Sequence, residues 1–294
     1  MNAVVKQTVA QDPAPDRRAG APHRTRRSLT LGTGLALVGL VALVAAVSFV
    51  WLPYAQGDTS GGRLHPPDAS HWLGTDRFGR DLLTQLMIGS RIVLAVGAGA
   101  AVIGAIAGVT VGTLAAFATR WLDDTVSAVL DILIAFPTLL LAMLIVAAQG
   151  ASLGTAILAI GLALSAVVAR LTRILAKRVL AQQYVTAART AGTSWAGIVG
   201  RHILPNIWPT LSVNLALQFG VAVLAEAILS YLGLGAPPPN ASWGRLLQEA
   251  QGTAAVAPAG AIAPSVALVV LVVGVNLVAD GVRDIGDPTL RRSR

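Results

Sequence analysis

Six apolar stretches, each of about 18 residues or more, constrain the fold of this chain more than any other feature. They are residues 29–52, 91–118, 126–148, 152–169, 207–229 and 262–279. A helix rises ~1.5 Å per residue, so about 20 apolar residues cross the ~30 Å of hydrocarbon in a bilayer. Backbone polar groups in lipid must be hydrogen-bonded internally, and these stretches lack the alternation typical of a membrane β-barrel. The sequence therefore predicts an all-α integral membrane protein with six transmembrane helices.

The composition agrees with this class. Hydrophobic residues make up 54% of the chain and charged residues 12%, with a mean hydropathy of +0.68, whereas soluble domains carry about 25% charged residues. Cysteine is absent, which excludes disulfides, thiolate metal sites and a cysteine nucleophile. The formal net charge of +8 is compatible with a nucleic-acid partner or with an anionic membrane surface. The positions of the basic residues along the chain have to distinguish these two partners.

The basic residues indicate how the chain is oriented. When the N-terminus is placed in the cytoplasm and six spans are threaded, 17 of the 22 Lys and Arg residues fall in cytoplasmic segments and 5 in outer segments. Cytoplasmic loops of membrane proteins carry such an excess of Lys and Arg. We therefore predict a multi-pass protein in membrane lipid with both termini cytoplasmic, and the charge requires no nucleic-acid partner.

The spans divide the chain into four regions. Residues 1–27 are polar and rich in Ala, Pro and Arg, a composition typical of disorder, so we expect a cytoplasmic tail there. Residues 28–90 hold the first span and an outer loop, residues 91–283 form a core domain, and residues 284–294 form a second cytoplasmic tail.

The inner segment of the core, residues 170–206, has the pattern of two short helices joined at a bend. It contains YVTAARTAGTSWAGIVGRHILPNI. Small side chains at Ala187 and Ala188 allow close approach to another protein. Gly192 can adopt a positive φ and turn the chain, and Pro205 suits the first turn of the next span. An amphipathic helix that rests on lipid headgroups is the alternative interpretation.

This segment resembles the EAA loop of binding-protein-dependent ABC importer permeases, and its flanking residues resemble the dipeptide/oligopeptide branch of that family. The residues that the resemblance assigns to coupling with an ATPase are Thr186, Ala187, Ala188, Arg189, Gly192, Leu204 and Pro205. Thr186 departs from the family pattern, which has an acidic residue at that position.

Three further segments resemble the C-type subunit of these permeases. They are HWLGTDRFGRDLLTQLMIGSR at residues 71–91, EAILSYLGLGAPPPNASWGRLLQEA at residues 226–250 and NLVADGVRDIGDPTLR at residues 276–291. The first of them carries the outer-loop motif of the family, formed by Gly74, Asp76, Gly79, Arg80 and Asp81. Several matches in the same order are far more specific than one loop.

The resemblance implies a type I ABC importer permease fold and a non-catalytic translocation subunit in a bacterial cell membrane. It implies three kinds of partner: a homologous permease subunit that completes a heterodimer, two ABC ATPase domains, and an extracytoplasmic substrate-binding protein. ATP and Mg would be bound by the ATPase partners, with no cofactor in this chain. Dipeptides or oligopeptides are the first expectation for the cargo, and the same branch also serves nickel, haem and other solutes.

Polar residues inside spans are candidates for a pathway or gate, because a charge costs several kcal/mol there. Asp131 and Glu226 are the charged candidates, and for both we favour a structural role over contact with substrate. Asn214 and Gln218 share one face of the fifth span, and the sixth span has a similar pair, Asn276 and Asp280. Each pair lines a polar pathway or forms hydrogen bonds between helices.

Glycines recur at every fourth position of the second span, at Gly104, Gly108 and Gly112. Such a face of small residues allows close approach of another helix. Packing within this chain and packing against a partner subunit are both compatible with the pattern.

Other functional classes are less well supported by the sequence. No G-x-x-x-x-G-K-[ST] loop occurs, and the four histidines lack metal-binding spacing. A secondary transporter should show inverted repeats and helices broken at midplane, and the sequence indicates neither. An intramembrane enzyme would have to use Asp131 and Glu226 as its paired groups. Export in place of import is disfavoured by the resemblance to the EAA loop.

Overall fold

A computed structural model describes residues 22–237 and 240–286 of the chain, with side chains described for residues 29–237 and 240–284. The described part is helical, and its only β pairing is an isolated antiparallel bridge between Thr75 and Asp81.

The described residues contain ten α-helices and one π-helical turn. In chain order they are α1 (Pro22–Val50), α2 (Leu82–Phe117), α3 (Arg120–Ala135), α4 (Thr138–Gln149), α5 (Leu153–Leu180), α6 (Gln183–Thr190), α7 (Trp195–Ile198), the π turn (Val199–Ile203), α8 (Leu204–Tyr231), α9 (Trp243–Ala250) and α10 (Ala259–Gly286).

Five helical segments are long and apolar enough to cross a membrane: α1, α2, α5, the continuous run from α7 to α8, and α10. Helices α3 and α4 pass the same test only as a bent pair, which brings the number of spans to six. The all-α, six-span prediction is confirmed in this form.

The ends of several helices differ from the predicted spans. Helix α1 already includes residues 22–27, so the prediction of a disordered tail is wrong for these residues, and residues 1–21 lie outside the described part. Helix α10 runs to Gly286, and residues 287–294 of the predicted second tail are likewise outside it. A helix continues past the hydrocarbon because its backbone is hydrogen-bonded in water as well as in lipid.

Helix α2 begins at Leu82 and not at residue 91. The Asp81 side chain caps it, since one carboxylate oxygen accepts the backbone N–H of Thr84 at 2.7 Å. This cap satisfies one of the free N–H groups at the helix start.

The third span is broken, which the sequence analysis did not expect. Helices α3 and α4 meet at an angle of 89°. Phe136 is extended, with φ −73° and ψ 132°, and Pro137 precedes α4. Proline lacks an N–H and disfavours the helical conformation of the residue before it, and the predicted continuous helix over residues 126–148 is interrupted at Phe136–Pro137.

The glycine face of α2 packs against α5 of the same chain. A Cβ atom at Gly108 would lie 2.5 Å from the Val168 Cβ, and one at Gly112 would lie 2.7 Å from the Thr172 Cβ. Of the two interpretations of this face, packing within the chain is therefore confirmed.

Helix α1 packs against α10 in a similar way. A Cβ at Gly34 would lie 2.7 Å from the backbone nitrogen of Val278, and one at Gly281 would lie 2.7 Å from the Leu31 Cβ. Contacts of α10 with α8, and of α8 with α2 and α5, complete one helical bundle.

Candidate functional site

The loop that resembles the EAA segment forms a helix, a bend and a second helical run. Helix α6 ends at Thr190, and Gly192, two residues later, has a φ of +86°. The Thr193 N–H donates to the Ala188 carbonyl at 3.0 Å, and the Gly192 N–H donates to the Arg189 carbonyl at 3.0 Å. This pair of bonds is a Schellman motif, so the predicted bend at Gly192 is confirmed.

Apolar side chains anchor this loop to the ends of two long helices. Val185 of α6, Ile198 of α7 and Ile203 of the π turn are buried in one cluster with Ala176 of α5. Phe117, the last residue of α2, packs against the same cluster and meets the Trp195 ring edge-on, with ring centroids 4.8 Å apart. A displacement of α6 and α7 therefore has to move α2 and α5 or break this cluster.

Most of the predicted coupling residues are on the surface. Thr186, Ala187, Arg189, Gly192 and Pro205 are exposed. No described heavy atom lies within 4 Å of a Cβ placed at Gly192. We call the exposed face of residues 186–192 the coupling surface, after the role that the sequence resemblance predicts for it.

Two of the predicted coupling residues are less accessible, and one neighbour was missed. Ala188 is half-buried, and Leu204 packs on the apolar cluster, so Leu204 anchors the loop. Trp195 stands beside the coupling surface, 52% exposed, with the Arg189 guanidinium 4.4 Å from its ring centroid. Trp195 directly follows Ser194, the N-cap residue of α7. This position at the start of a helix was the sequence signal that could have identified it.

An ion-pair cluster that the sequence analysis missed joins α3 to α5. The Asp123 carboxylate is buried and accepts two hydrogen bonds from Arg173, at 2.6 and 2.9 Å, and one from Lys177. Asp131 lies on the same helix, but it is 59% exposed and pairs with Arg170 at 3.0 Å. The Asp123 and Asp131 carboxylates of α3 therefore pair with basic residues of α5.

Among the described residues, Glu226 is the most deeply buried charged residue, with 1% exposure. One carboxylate oxygen accepts the Ser230 hydroxyl at 2.6 Å, and the other has no hydrogen-bond partner among the described residues. Ser242, the N-cap residue of α9, lies beside this carboxyl group. Next to it, Gly244 lies so close to the Ala227 carbonyl that a Cβ would overlap it. These contacts place Glu226 at the joint between α8 and α9.

The remaining polar candidates lie on α8 and α10. Gln218 is buried, and the side-chain oxygen of Asn214 is buried without a hydrogen-bond partner in the described part of the chain. Asn276 and Asp280 are exposed. The sequence left a pathway and helix-to-helix hydrogen bonding open for Asn214, and its oxygen makes no such bond here.

At the opposite end of the bundle, residues 51–81, 232–237 and 240–258 fold together into a compact layer that we call the cap. Gly74 and Gly79 of the predicted outer-loop motif have φ of +77° and +85°. The Asp76 carboxylate accepts the backbone N–H groups of Phe78, at 2.7 Å, and Arg80, at 2.9 Å, together with the Arg80 side chain at 2.6 Å. Such a turn needs glycine at positive φ and an acceptor between the two glycines.

Two residues outside the predicted site tie the second loop to this motif and to α2. Glu249 of α9 is buried and accepts hydrogen bonds from Arg80 and, at 3.0 Å, from Arg245. The Trp243 indole N–H donates to the Leu86 carbonyl at 2.9 Å. Both residues lie in the second resembling segment, yet nothing in their local pattern identifies partners so distant in sequence.

Electrostatics also fix the first loop of the cap. His71 pairs with Asp81 at 3.0 Å, and its ring stacks on Tyr54 with centroids 4.5 Å apart. Backbone N–H groups lower the pKa of the exposed Asp68 carboxyl, the largest contribution coming from His71, whose N–H lies 2.6 Å away. The cap is thus organised by carboxylates that accept backbone N–H groups.

The described residues hold no group of three His, Cys, Asp or Glu side chains placed to bind a metal ion. The arrangement consists of an exposed coupling surface, a broken span, buried polar groups and a cap. Residues 108–292 match the family described as the inner membrane component of binding-protein-dependent transport systems. The chain belongs to this family.

Curated relatives match over nearly the whole chain. A putative peptide transport system permease protein of Brucella suis is 39% identical over 92% of this chain and 91% of its own length. A dipeptide transport system permease protein of Alkalihalophilus pseudofirmus is 36% identical over 87% of this chain and 86% of its own length. A glutathione transport system permease protein of Pectobacterium atrosepticum is 35% identical over 90% of this chain and 89% of its own length.

The resemblance found in the sequence is therefore confirmed, and so is its functional class. The chain is a multi-pass, membrane-spanning permease subunit of an ABC transport system. Subunits of this family are generally non-catalytic. The family match begins at residue 108 and so covers the coupling surface and the polar residues of α8, while the motif at residues 74–81 lies outside it.

Proposed function

We propose that this permease is the C-type subunit of a peptide importer and that residues 186–192 receive the motion of an ATPase. The observation that carries the proposal is the coupling surface itself: it is exposed, small in side-chain volume and fixed to α2 and α5 by a buried apolar cluster. An exposed surface that is rigidly fixed to two spans can pass a displacement to them, which a mobile loop cannot.

The cargo and partners follow from the relatives. Two of the similar proteins are named for peptides or dipeptides and one for glutathione, itself a peptide. We infer that this subunit pairs with a homologous permease subunit, that two ABC ATPase domains bind ATP and Mg below it, and that an extracytoplasmic binding protein delivers a peptide to the cap. In this proposal the chain has no catalytic site and no cofactor of its own, and it binds no nucleic acid.

The orientation is part of the same proposal. The excess of Lys and Arg falls on segments at the end that carries the coupling surface, and such segments stay cytoplasmic. Both termini are then cytoplasmic and the cap faces outwards.

The polar groups take two different roles in this proposal. Glu226 supports the cap, because it touches Ser230 and lies at the close contact between α8 and α9. Asn214, whose buried side-chain oxygen has no hydrogen-bond partner among the described residues, lines the pathway together with Gln218 on the same face of α8. Asp131 serves the interface between α3 and α5 through Arg170.

Replacing Ala188 with Trp tests the coupling assignment. The added bulk should separate the coupling surface from the ATPase, so transport and retention of ATPase subunits during purification should fall sharply while membrane insertion persists. Ala255→Trp is the matched control, because Ala255 is exposed in the cap and its replacement should leave ATPase retention unchanged. Thr186→Ala should reduce transport only slightly, since no acidic side chain is lost. If Ala188→Trp transports normally, the segment rests on lipid and the assignment is wrong.

A further inference from the structure

A cavity of about 620 Å³ opens on the side of the bundle between α1 and α10, beneath the cap. Its lining is almost entirely apolar, with Leu86 and Trp243 at the back. The polar atoms of Trp243 and Ser90 in its wall donate to backbone carbonyls, to Leu86 at 2.9 Å and to Met87 at 2.6 Å. The cavity itself therefore offers no hydrogen bond to a ligand and suits a hydrocarbon chain.

Glycines bring α1 and α10 into close contact at Gly34, Gly274 and Gly281. The cavity lies nearer the cap, between residues 40–44 of α1 and residues 259–270 of α10. Leu40 and Ile262 stand at its mouth, 53% and 58% exposed. Both helices are spans, so this mouth opens towards the hydrocarbon of the bilayer.

An arginine lies beside the wall of the cavity, near the end of α1. Arg91 follows Ser90 in the wall, and its Nε donates to the Ser48 hydroxyl at 2.5 Å, one helical turn beyond Val44 of the wall. Its guanidinium also lies 4.1 Å from the centroid of the Phe49 ring. The two terminal nitrogens make no hydrogen bond to any residue in the described part of the chain.

A guanidinium with free donors near the end of a membrane span can bind an anionic partner through charge-assisted hydrogen bonds. Its planar donor fork matches the oxygens of a phosphate group. Ser48 lies close to Val50, where α1 ends, so Arg91 is at the depth of a lipid headgroup. The apolar cavity can thus hold an acyl chain and the free guanidinium can bind a phosphate. The two follow each other along the bundle in the order that a phospholipid requires.

We propose that this cavity is a binding site for one phospholipid of the membrane leaflet at the cap end, with an acyl chain between α1 and α10 and its phosphate on Arg91. An acyl chain gains no hydrophobic free energy here, because the bilayer is equally apolar. The Arg91–phosphate contact therefore selects the site, and the chain fills a space that would otherwise lack packing contacts. The inference is independent of the cargo and of the ATPase assignment.

Native mass spectrometry of the full chain tests this, with the protein purified in mild detergent together with the subunits that accompany it. Dioleoyl phosphatidylglycerol is the added probe, and dioleoylglycerol, which lacks the phosphate, is the ligand control. Ala267→Phe fills the cavity, and Arg91→Gln removes the phosphate contact. Val269→Phe is the matched control, because Val269 is on the same helix and exposed but does not line the cavity.

We expect the wild-type protein and Val269→Phe to retain one phospholipid and both other variants to lose that peak. Dioleoylglycerol should not be retained by any of them. Equal retention of dioleoylglycerol, or undiminished retention of phospholipid by Ala267→Phe, would overturn the proposal. If Ala267→Phe instead loses a second permease chain and keeps its lipid, the cavity is the seat of a partner helix and the proposal is wrong. If Ala267→Phe does not fold, Ala263→Leu is a second variant that fills less of the cavity. Its thermal unfolding should be measured with and without phosphatidylglycerol. The lipid should no longer stabilise this variant, and undiminished stabilisation would contradict the proposal.

Discussion

Replacing Gly192 with Val tests whether the bend in the coupling loop transmits motion. The φ of Gly192 is +86°, and a Cβ there would meet no described atom within 4 Å. The cost is therefore one of backbone conformation alone, roughly 1–2 kcal/mol for an ordinary residue and more for a β-branched one. That energy lowers the ratio of molecules with the native bend to molecules with an altered bend by about 5- to 30-fold.

Gly200 offers a matched control in the same loop. A Cβ at Gly200 also meets no described atom within 4 Å, but its backbone is part of the π turn and its φ is not positive. Glycine costs up to ~1 kcal/mol relative to Ala in a helical backbone, so Gly200→Val should not destabilise the loop. Gly192→Asn should be milder than Gly192→Val, because Asn tolerates the left-handed region better.

The assay is ATP hydrolysis by the reconstituted transporter, with and without the peptide-loaded binding protein. Gly192→Val should keep membrane abundance and basal hydrolysis but lose most of the stimulation, with Gly192→Asn in between and Gly200→Val like wild type. If Gly192→Val is stimulated normally, or if Gly200→Val fails equally, the positive φ at Gly192 does not control coupling and the reasoning is refuted.

Three further predictions concern the orientation, the buried carboxyl and the cap. A cysteine at Ser70 should react with an impermeant reagent added to intact cells and one at Gln182 should not; labelling at Gln182 would reverse the assigned orientation. Glu226→Gln keeps an acceptor for the Ser230 hydroxyl, so competition between peptides for transport should show an unchanged preference; an altered preference at normal abundance would place this carboxyl in the pathway. Glu249→Gln leaves two arginines without their shared carboxylate, which should destabilise the protein by about 3 kcal/mol and lower its melting temperature in detergent, whereas the exposed neighbour Gln248→Asn should not; equal melting temperatures would mean that the ion pairs do not hold the cap.

Part of the candidate site could be predicted from local sequence. The bend at Gly192 and the proline in the first turn of α8 were predicted and are present, because both depend on the backbone preferences of single residues. The exposure of Thr186 and Ala187 agrees with a surface role, and their contact with an ATPase stays a prediction.

Other parts of the site depend on residues far apart in sequence. Arg80 meets Glu249 across 169 residues, and Asp123 meets Arg173 across 50. No local pattern encodes such a partner, because it depends on which helices become neighbours. Asp131 shows the same limit: it lies inside an apolar stretch, yet the fold turns it outwards to Arg170.

The sequence by itself determined the class of protein, the number of spans and the position of the bend, because hydrocarbon thickness and backbone sterics act on each segment separately. Only the tertiary structure decided that the glycine face of α2 packs against α5, that the third span turns by 89° at Phe136–Pro137, and that two distant loops close into one cap. A small-residue face fits any helix, and a proline permits a kink without fixing its angle. The choice among partners and angles is made by packing of the whole bundle, where side chains from distant segments must fill the same space.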